Sequence, residues 1–479
     1  MAVSLGLRIY LNYLDGGKVG PMDIPQSLGD CFHLNDTGLP IGVNEHKLRL
    51  YYLARARERE EARPVPRRPK VQRDYHACSW WMLYFADDSY ITDSSKVKVW
   101  RNRFRLPYLA VKEFVRESRE MRWFADDGFE NRDAIGALGP PLELLVCVAL
   151  RYMGRHHVLD DFYESTFISS STAHRFILLF WRVVRQHLYP RHVIFPTTVE
   201  QLKSAAAEFT HLGLPGCIGC IDCTHIECFS PAGLRNSNVG KEGFPTRGYI
   251  LGATPKRKIL YTLPGKPGTW SDCMHANFDE YIQKAKDNIV WRDFEWTAKN
   301  ANGVDQTFSG PWFLVDGGFM SWLCLMCGYK NTTDKPSWRW SKWCESVRKC
   351  VECVFGILKK RWQILKTGFR MRTRAAMDDC WFSCCALHNW IFELLEEQEK
   401  IEDVDDDDGD LPQGVRNVLG GPQSVEEHDD AKPMDIDEGF AERRQILITH
   451  WDYLWRKEQL RWRTQNVASG SQLEESFEI

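Results

Sequence analysis

Three carboxylates in this 479-residue chain stand where the surrounding pattern calls for apolar side chains. Asp222 interrupts the strand-like run GCIGCIDCTHIECF. Asp316 closes PWFLVD just before Gly317-Gly318. Glu352 lies on the helix-like segment ESVRKCVECVFGILKKRWQIL. Burying a carboxylate is costly unless it is paired or bound to metal. Hard divalent cations take oxygen ligands, and two such ions close together stabilise the attacking and leaving oxygens of a phosphodiester displacement. Two or three converging acids would supply that chemistry. Here 93 residues separate the first from the second and 35 the second from the third. Each acid alone also has a plainer reading, since an acid at a strand end often forms a turn or a cap.

Helical geometry sharpens the third position. At about 100° per residue, Val347, Cys350, Val351, Val354, Ile357 and Leu358 form an apolar stripe, and Glu345, Arg348, Glu352, Gly356 and Lys359 lie opposite. That places Glu352 in line with two cations, with Gly356 open to the approach of another backbone. The competing reading is a solvated face with an i, i+4 Arg348–Glu352 pair. Glu345, on the same face, is a rival for the third acid.

The net charge of −3 conceals segregation. Residues 330–374 carry thirteen Lys/Arg against three acids, a net +10, with Trp338, Trp340, Trp343 and Trp362 interleaved. Such a stretch is an electrostatic footprint for a polyanion. The rings could stack on bases, though buried packing is the commoner use of Trp. Residues 393–440 carry 18 Asp/Glu against three Lys/Arg, which predicts a disordered acidic linker. Hydrophobic residues at 43% and charged residues at 27% exclude a mostly disordered or fibrous chain. No run approaches the roughly 18 apolar residues of a membrane span. The first residues lack a basic n-region and read as no signal peptide. The 16 cysteines are then expected as reduced thiols of a cytosolic or nuclear protein.

The elements that must hold these groups follow in order. Residues 1–97 are unassigned apart from a basic linker at 55–73, where eight Lys/Arg face three Glu. That linker is either solvated spacer or a nuclear-localisation or DNA-backbone segment. Residues 98–208 have helical periodicity. A short helix at 159–165, a turn and a Ser/Thr-capped helix from about Ser171 suggest a helix-turn-helix with Thr172, His174 and Arg175 near the start of its second helix, or a plain bundle. From 209 to 395, β-branched runs at GCIGCIDCTHIECF, RGYILGAT, KILYTLP and PWFLVD alternate with helices at 272–285, 341–365 and 377–398. They predict an α/β domain whose mixed sheet is covered on both faces. The acidic linker spans 396–440. Beyond it, 441–479 holds an amphipathic helix with Leu447, Trp451, Leu454, Trp455 and Trp462 on one face, which either packs back on the core or docks a partner.

The blocks GCIGCIDCTHIECFSPAGLRNSNVGKEGFPTRGYI, LPGKPGTWSDC, WFLVDGGF, CESVRKCVECVFGILKKRWQILKTG and CCALHNW occur in order. Together they resemble the Harbinger-type and plant-transposon DDE transposases and the nucleases derived from them. The resemblance covers roughly 210–392. It implies an RNase H-like catalytic domain after a mainly helical, helix-turn-helix-like region. It also implies two Mg²⁺ or Mn²⁺ ions held by Asp222, Asp316 and Glu352, and so selects Glu352 over Glu345. Asp272 matches an acid of the tryptophan-containing block, in a supporting role. Arg348, Lys359 and Arg361 would neutralise DNA phosphates. The implied partners are double-stranded transposon ends, a Myb-like DNA-binding protein and further copies of the chain, and the implied location is the nucleus. The sequence departs from the family in the Gly-Gly-Phe after Asp316 and in Cys350, where a charged residue is more familiar. His225, one strand position out of phase with Asp222, is assigned to structure.

Two other classes compete. A domesticated transposase could bind DNA without cleaving it. A zinc protein could use Cys217, Cys220 and Cys223, Cys324 and Cys327, or Cys350 and Cys353. Their spacing of three turns strand cysteines to opposite faces, so buried free thiols are the expectation.

Overall fold

The computed structural model describes residues 32–34, 40–43, 47–48, 50–52, 54–55, 73–129, 139–399 and 436–460, apart from positions 88, 89, 91, 92, 232, 234, 288 and 458. Residues 56–72 of the expected basic linker, residues 400–435 of the expected acidic linker and the segment beyond 460, Trp462 included, lie outside them. The chain divides into two compact units, Met1–Gln72 and Arg73–Ile479. In the first, β1 (Phe32–Leu34) pairs antiparallel with β2 (Pro40–Val43).

The second unit begins with helices α1 (Ser79–Tyr84), α2 (Ser94–Phe104), α3 (Tyr108–Glu120) and α4 (Leu142–Arg155). Next come α5 (Asp161–Thr166) and α6 (Ser170–Val183), separated by Phe167–Ser169. The predicted Ser/Thr cap is Ser169, whose hydroxyl accepts from Thr172 N at 3.3 Å. The buried face of α6 is Ala173, Phe176, Ile177 and Phe180, while His174 and Arg175 are exposed. Helix α7 (Val199–Thr210) starts with a complete capping box between Thr198 and Gln201, which satisfies two orphan amides at once. It leads directly into the sheet.

The central sheet has the order β10-β9-β3-β4-β5, with β6 on β4. Its strands are β3 (Cys217–Glu227), β4 (Thr246–Ala253), β5 (Ile259–Thr262), β6 (Lys266–Pro267), β9 (Trp312–Leu314) and β10 (Leu325–Met326). The β3–β4–β5 pairs are antiparallel, and β9 runs parallel to β3 and β10, so the sheet is mixed. A separate hairpin pairs β7 (Glu295–Lys299) with β8 (Asp305–Ser309).

Strand alternation sorts the two faces. Asp222 pairs with Leu251, and Leu251 with Thr262, so these share a face with Tyr249. On that face lie α10 (Lys335–Arg361) and α12 (Arg374–Glu399). Tyr249 Oη donates to Asp378 at 3.0 Å, and Trp381 Nε1 to Thr262 Oγ1 at 2.7 Å. On the other face, Tyr261 Oη donates to Asp279 at 2.9 Å. Asp279 separates α8 (Asp272–Asn277) from α9 (Glu280–Asp287) by accepting from the amides of Tyr281 and Ile282. The single helix expected over 272–285 is therefore two, because a buried cap intervenes.

The helix expected at 341–365 likewise ends at Arg361. A short α11 (Gln363–Thr367) follows it. Helix α13 (Phe440–Arg456) packs back on the domain. Trp451 is buried, stacks on Trp455 at 5.2 Å and meets Trp343 at 6.3 Å, and Asp452 accepts from Arg339 at 3.1 Å. The interleaved tryptophans of α10 mostly serve this packing. Trp340 and Trp362 are fully buried and Trp343 half-buried, which leaves Trp338 as the exposed ring. Among the described residues no helix is long and apolar enough to cross a membrane.

Candidate active site

The parallel register between β3 and β9 builds the site. Cys220 pairs with Leu314. Two residues further along both strands, on the same face, stand Asp222 and Asp316. Asp222 is still inside β3, a long strand carried onward by its antiparallel pairing with β4. Asp316 lies just past β9, where the chain turns through Gly317 and Gly318. Gly318 N donates to Asp316 Oδ1 at 2.8 Å.

That turn also gathers Asp272. A methyl group on Gly318 would fall 2.8 Å from Asp272 Oδ2 and 3.1 Å from Asp316 Oδ1, so any larger residue would displace one of the two carboxylates. Cys273 Sγ holds the turn by donating to Gly318 O at 3.1 Å. Asp272 is thus part of the acid cluster, a placement that spacing alone does not reveal.

Glu352 joins through Arg348. The Arg348 guanidinium lies 2.9 Å from Asp222 Oδ2 and 2.7 Å from Glu352 Oε1. Of these, Arg348 and Asp222 are largely buried, while Glu352 is half-exposed. The i, i+4 pair and the site acid are therefore the same Glu352, tied to Asp222 by one shared cation. Glu345 pairs with Lys342 at 3.3 Å on the surface. Gly356 is exposed with open space around it, so no backbone approaches it, contrary to the expectation from the helical wheel.

Burial pushes the Asp222 carboxyl up to about 6. Arg348 opposes the rise, and the charges of Asp316 and Glu352 add to it. Burial likewise raises Asp272 to about 6, with Asp316 and Asp222 contributing, and Lys241 and Arg348 opposing. Lys241, from the loop between β3 and β4, is a nearby cation that no spacing or motif singles out. Lys359 Nζ donates to Thr224 Oγ1 at 2.8 Å, and burial lowers its pKa. Arg361 turns toward α12, with its guanidinium 3.1 Å from His388 Nδ1. His225 Nδ1 lies 3.0 Å from Thr246 Oγ1, within the sheet.

Among the described residues no three His, Cys, Asp or Glu side chains converge closely enough, as placed, to ligate a metal ion. The Arg348 guanidinium takes the counter-ion's role at Asp222. The donor set nonetheless fits a hard cation. It consists of carboxylate oxygens, and two of the acids have affinities for protons raised by burial and by one another, a deficit of positive charge that a divalent ion would relieve. The cysteines do not form such a set. Cys217, Cys220 and Cys324 are buried free thiols, and burial raises their pKa.

Residues 221–389 match the family described as DDE superfamily endonuclease. This segment is similar to DDE superfamily endonuclease domains. It contains Asp222, Asp272, Asp316, Arg348 and Glu352, and it bears out the resemblance carried by the five sequence blocks. The chain is 26% identical over 275 residues to the Arabidopsis thaliana protein ALP1-like, covering 55% of this chain and 64% of that protein. It is 21% identical over 198 residues to the Bos taurus protein HARBI1, whose name marks it as a candidate nuclease, covering 41% of this chain and 52% of that protein. The chain thus spans between half and two thirds of the lengths of these relatives. No solved structure matches at the same level of significance.

Proposed function

We propose that this chain is a transposon-derived, metal-dependent DNA endonuclease whose catalytic acids are Asp222, Asp316 and Glu352. The observation that carries the reading is the parallel register that sets Asp222 beside Asp316, with Arg348 linking Glu352 to the pair. The sheet supports an RNase H-like domain. It is an antiparallel run β3–β4–β5 with β9 and β10 added in parallel on the other side of β3.

Asp222, Asp316 and Glu352 would hold the two divalent ions, Mg²⁺ or Mn²⁺, with Asp272 in support. When bound, those ions supply charge stabilisation to the attacking and leaving oxygens of an in-line displacement. The chain's own part is positional. The β3–β9 register fixes Asp222 on β3 and Asp316 just past β9, and Gly318 lets Asp272 close in from α8. Arg348, released from Asp222, can neutralise the scissile phosphate. Lys359 and Lys241 flank the same acids and would hold adjoining phosphates. Water is the nucleophile for hydrolysis, and a 3′-hydroxyl would replace it for strand transfer. The reading carries with it duplex transposon ends as substrate, DNA contacts by α6, a Myb-like partner, a homo-oligomer and action in the nucleus.

The test is cleavage of supercoiled plasmid in Mg²⁺ or Mn²⁺, with duplex binding measured separately in EDTA. Asp222→Asn and Asp316→Asn should each lower cleavage by roughly 10⁴-fold, the scale of removing one member of a catalytic unit, and leave binding largely intact. A parent that binds duplex but does not nick in either metal would point to a DNA-binding protein that has lost its chemistry.

A further inference from the structure

Outside the acid site, the described surface carries a second concentration of like charge, this one positive. Helix α2 carries Arg103 in its last turn and is capped by Arg105. Helix α4 ends with Arg151 and Arg155. We propose that Arg103, Arg105, Arg151 and Arg155, gathered where these two helix ends meet, form a phosphate-binding cluster that grips the DNA backbone at a distance from the acids. The proposal rests on the reading of the chain as a DNA nuclease.

Four observations support it. Among the described residues none of the four guanidiniums is paired with a carboxylate. Their partners are the Tyr84 hydroxyl for Arg103, Arg103 O at 3.4 Å for Arg151, and Asn102 O at 3.5 Å for Arg155. The neighbouring acid Asp161 faces His157 at 3.9 Å. Capping the carbonyls at the end of α2 is thus part of the role of Arg151 and Arg155, but it uses one long bond from each and leaves most of their donors free.

The cluster is also built, not incidental. Arg105 takes a left-handed backbone conformation, φ 65°, which ends α2 and turns its side chain over Gly154. A methyl group at Gly154 would come within 3.1 Å of the Arg105 stem. Arg105 Nε is buried without an acceptor, a state that costs free energy until an acceptor arrives.

The cations also act on one another. Burial and the charge of Arg155 lower the Arg105 pKa. Burial, followed by Arg155, Arg103 and Arg105, lowers that of Arg151.

Finally, the cluster is continuous with the basic stretch of the catalytic domain. His156, next to Arg155, caps α4 and sets Nδ1 2.5 Å from Thr367 Oγ1 at the end of α11. That helix follows directly on α10, which bears Arg348, Glu352 and Lys359. Lys366 and Arg370 are exposed there, and the Arg370 charge acts on His156. Duplex DNA, with one phosphate per about 1.7 Å of axis, matches an extended track of cations better than a single small anion does.

The experiment uses the full chain, a labelled 30-base-pair duplex and fluorescence anisotropy in EDTA across a sodium chloride series. Arg155 is exposed, so its variants should fold. Arg155→Gln should weaken binding several-fold and reduce the slope of log affinity against log salt by about 0.9, one lost phosphate contact. Arg155→Glu should weaken it further, and Arg155→Lys should keep the slope. Plasmid nicking by Arg155→Gln should fall in step with its binding, whereas Asp222→Asn loses nicking and keeps binding, which separates this cluster from the acid site. An unchanged affinity and slope in Arg155→Gln, with the parent binding normally, would overturn the proposal and leave the nuclease reading intact. It is equally overturned if the effect disappears once residues 400–435 are deleted, since the cluster then serves the chain's own acidic segment. A parent that binds no duplex at all sinks both readings.

Discussion

The acid site and the arginine cluster solve opposite versions of one problem. In the first, Asp222, Asp272 and Asp316 are held together against their mutual repulsion by strand register and a glycine turn, with Arg348 as internal counter-ion. In the second, four arginines meet where two helices end, and among the described residues no acid pairs with any of them. Asp222 and Asp272 can shed charge by taking up protons at about pH 6. Guanidiniums cannot, because they stay protonated at any accessible pH. The first site is therefore built around a cation it can partly do without. The second carries a positive excess that only a bound anion can relieve.

The largest expected effect comes from removing the internal cation. In Arg348→Gln, Asp222 is left buried with no counter-charge, which should cost about 3 kcal/mol. At roughly 2–4 °C per kcal/mol, melting in EDTA at pH 7.5 should fall by about 6–12 °C. Added Mn²⁺ should recover more of that loss than it adds to the parent. Equal responses to Mn²⁺ in parent and variant would mean that Arg348 does not occupy the cation's place.

A smaller effect of opposite sign is expected for Asp272→Asn. The unfolded carboxyl ionises near 3.8, while the folded one keeps its proton to about 6. Between those values the folded state binds more protons, so this group makes stability fall as pH rises, and the penalty is complete above about 6. Asp272→Asn should therefore melt higher than the parent at pH 7.5 in EDTA. The gain should be on the order of 1 kcal/mol after discounting for partial exposure, and it should vanish near pH 4. A gain of the same size at both pH values would mean that charge is not its source.

How far each site is legible in the sequence follows from the same contrast. Asp222 and Asp316 announce themselves because a charge inside an apolar strand is anomalous within a few residues. The faces of the sheet and the helices α10 and α12 follow from periodicity in the same local way. Asp272 does not stand out, because it begins a short helix after a turn, where acids are ordinary, and only the missing side chain of Gly318 brings it inward. Lys241 and the arginines are hidden for a different reason. Arginine at the C-terminal end of a helix is favoured by the helix dipole wherever it occurs, so neither Arg103 nor Arg155 looks unusual on its own helix. Their meeting is a tertiary fact across about 50 residues of chain. The buried cap Asp279, which splits the helix expected at 272–285, is invisible for a similar reason, since its partner Tyr261 lies on β5.

The two sites should also differ in which ions stabilise them and at which pH. Melting of the parent should rise with Mn²⁺ at pH 7.5 and hardly at all at pH 4.5, where Asp222 and Asp272 hold protons that compete with metal. Inorganic pyrophosphate, acting on guanidiniums that do not titrate, should raise melting at both pH values. Arg155→Gln should remove most of that rise and leave the Mn²⁺ response alone.

The smallest expected effect is on the stability of the unliganded chain. Arg155 is exposed, and its hydrogen bond to Asn102 O is long, 3.5 Å, so its loss should cost little. The same change removes the charge that lowers the pKa values of Arg105 and Arg151. The two contributions oppose each other, and melting of Arg155→Gln in low salt should stay within about 1 °C of the parent, as for most surface substitutions. Raising salt should lower the parent's repulsion more than the variant's, so any difference between them should shrink toward zero by about 0.5 M sodium chloride. A variant that melts several degrees lower at every salt concentration would show that Arg155 is chiefly a structural cap for α2. Its weakened DNA binding would then trace to a displaced helix end and not to a lost phosphate contact.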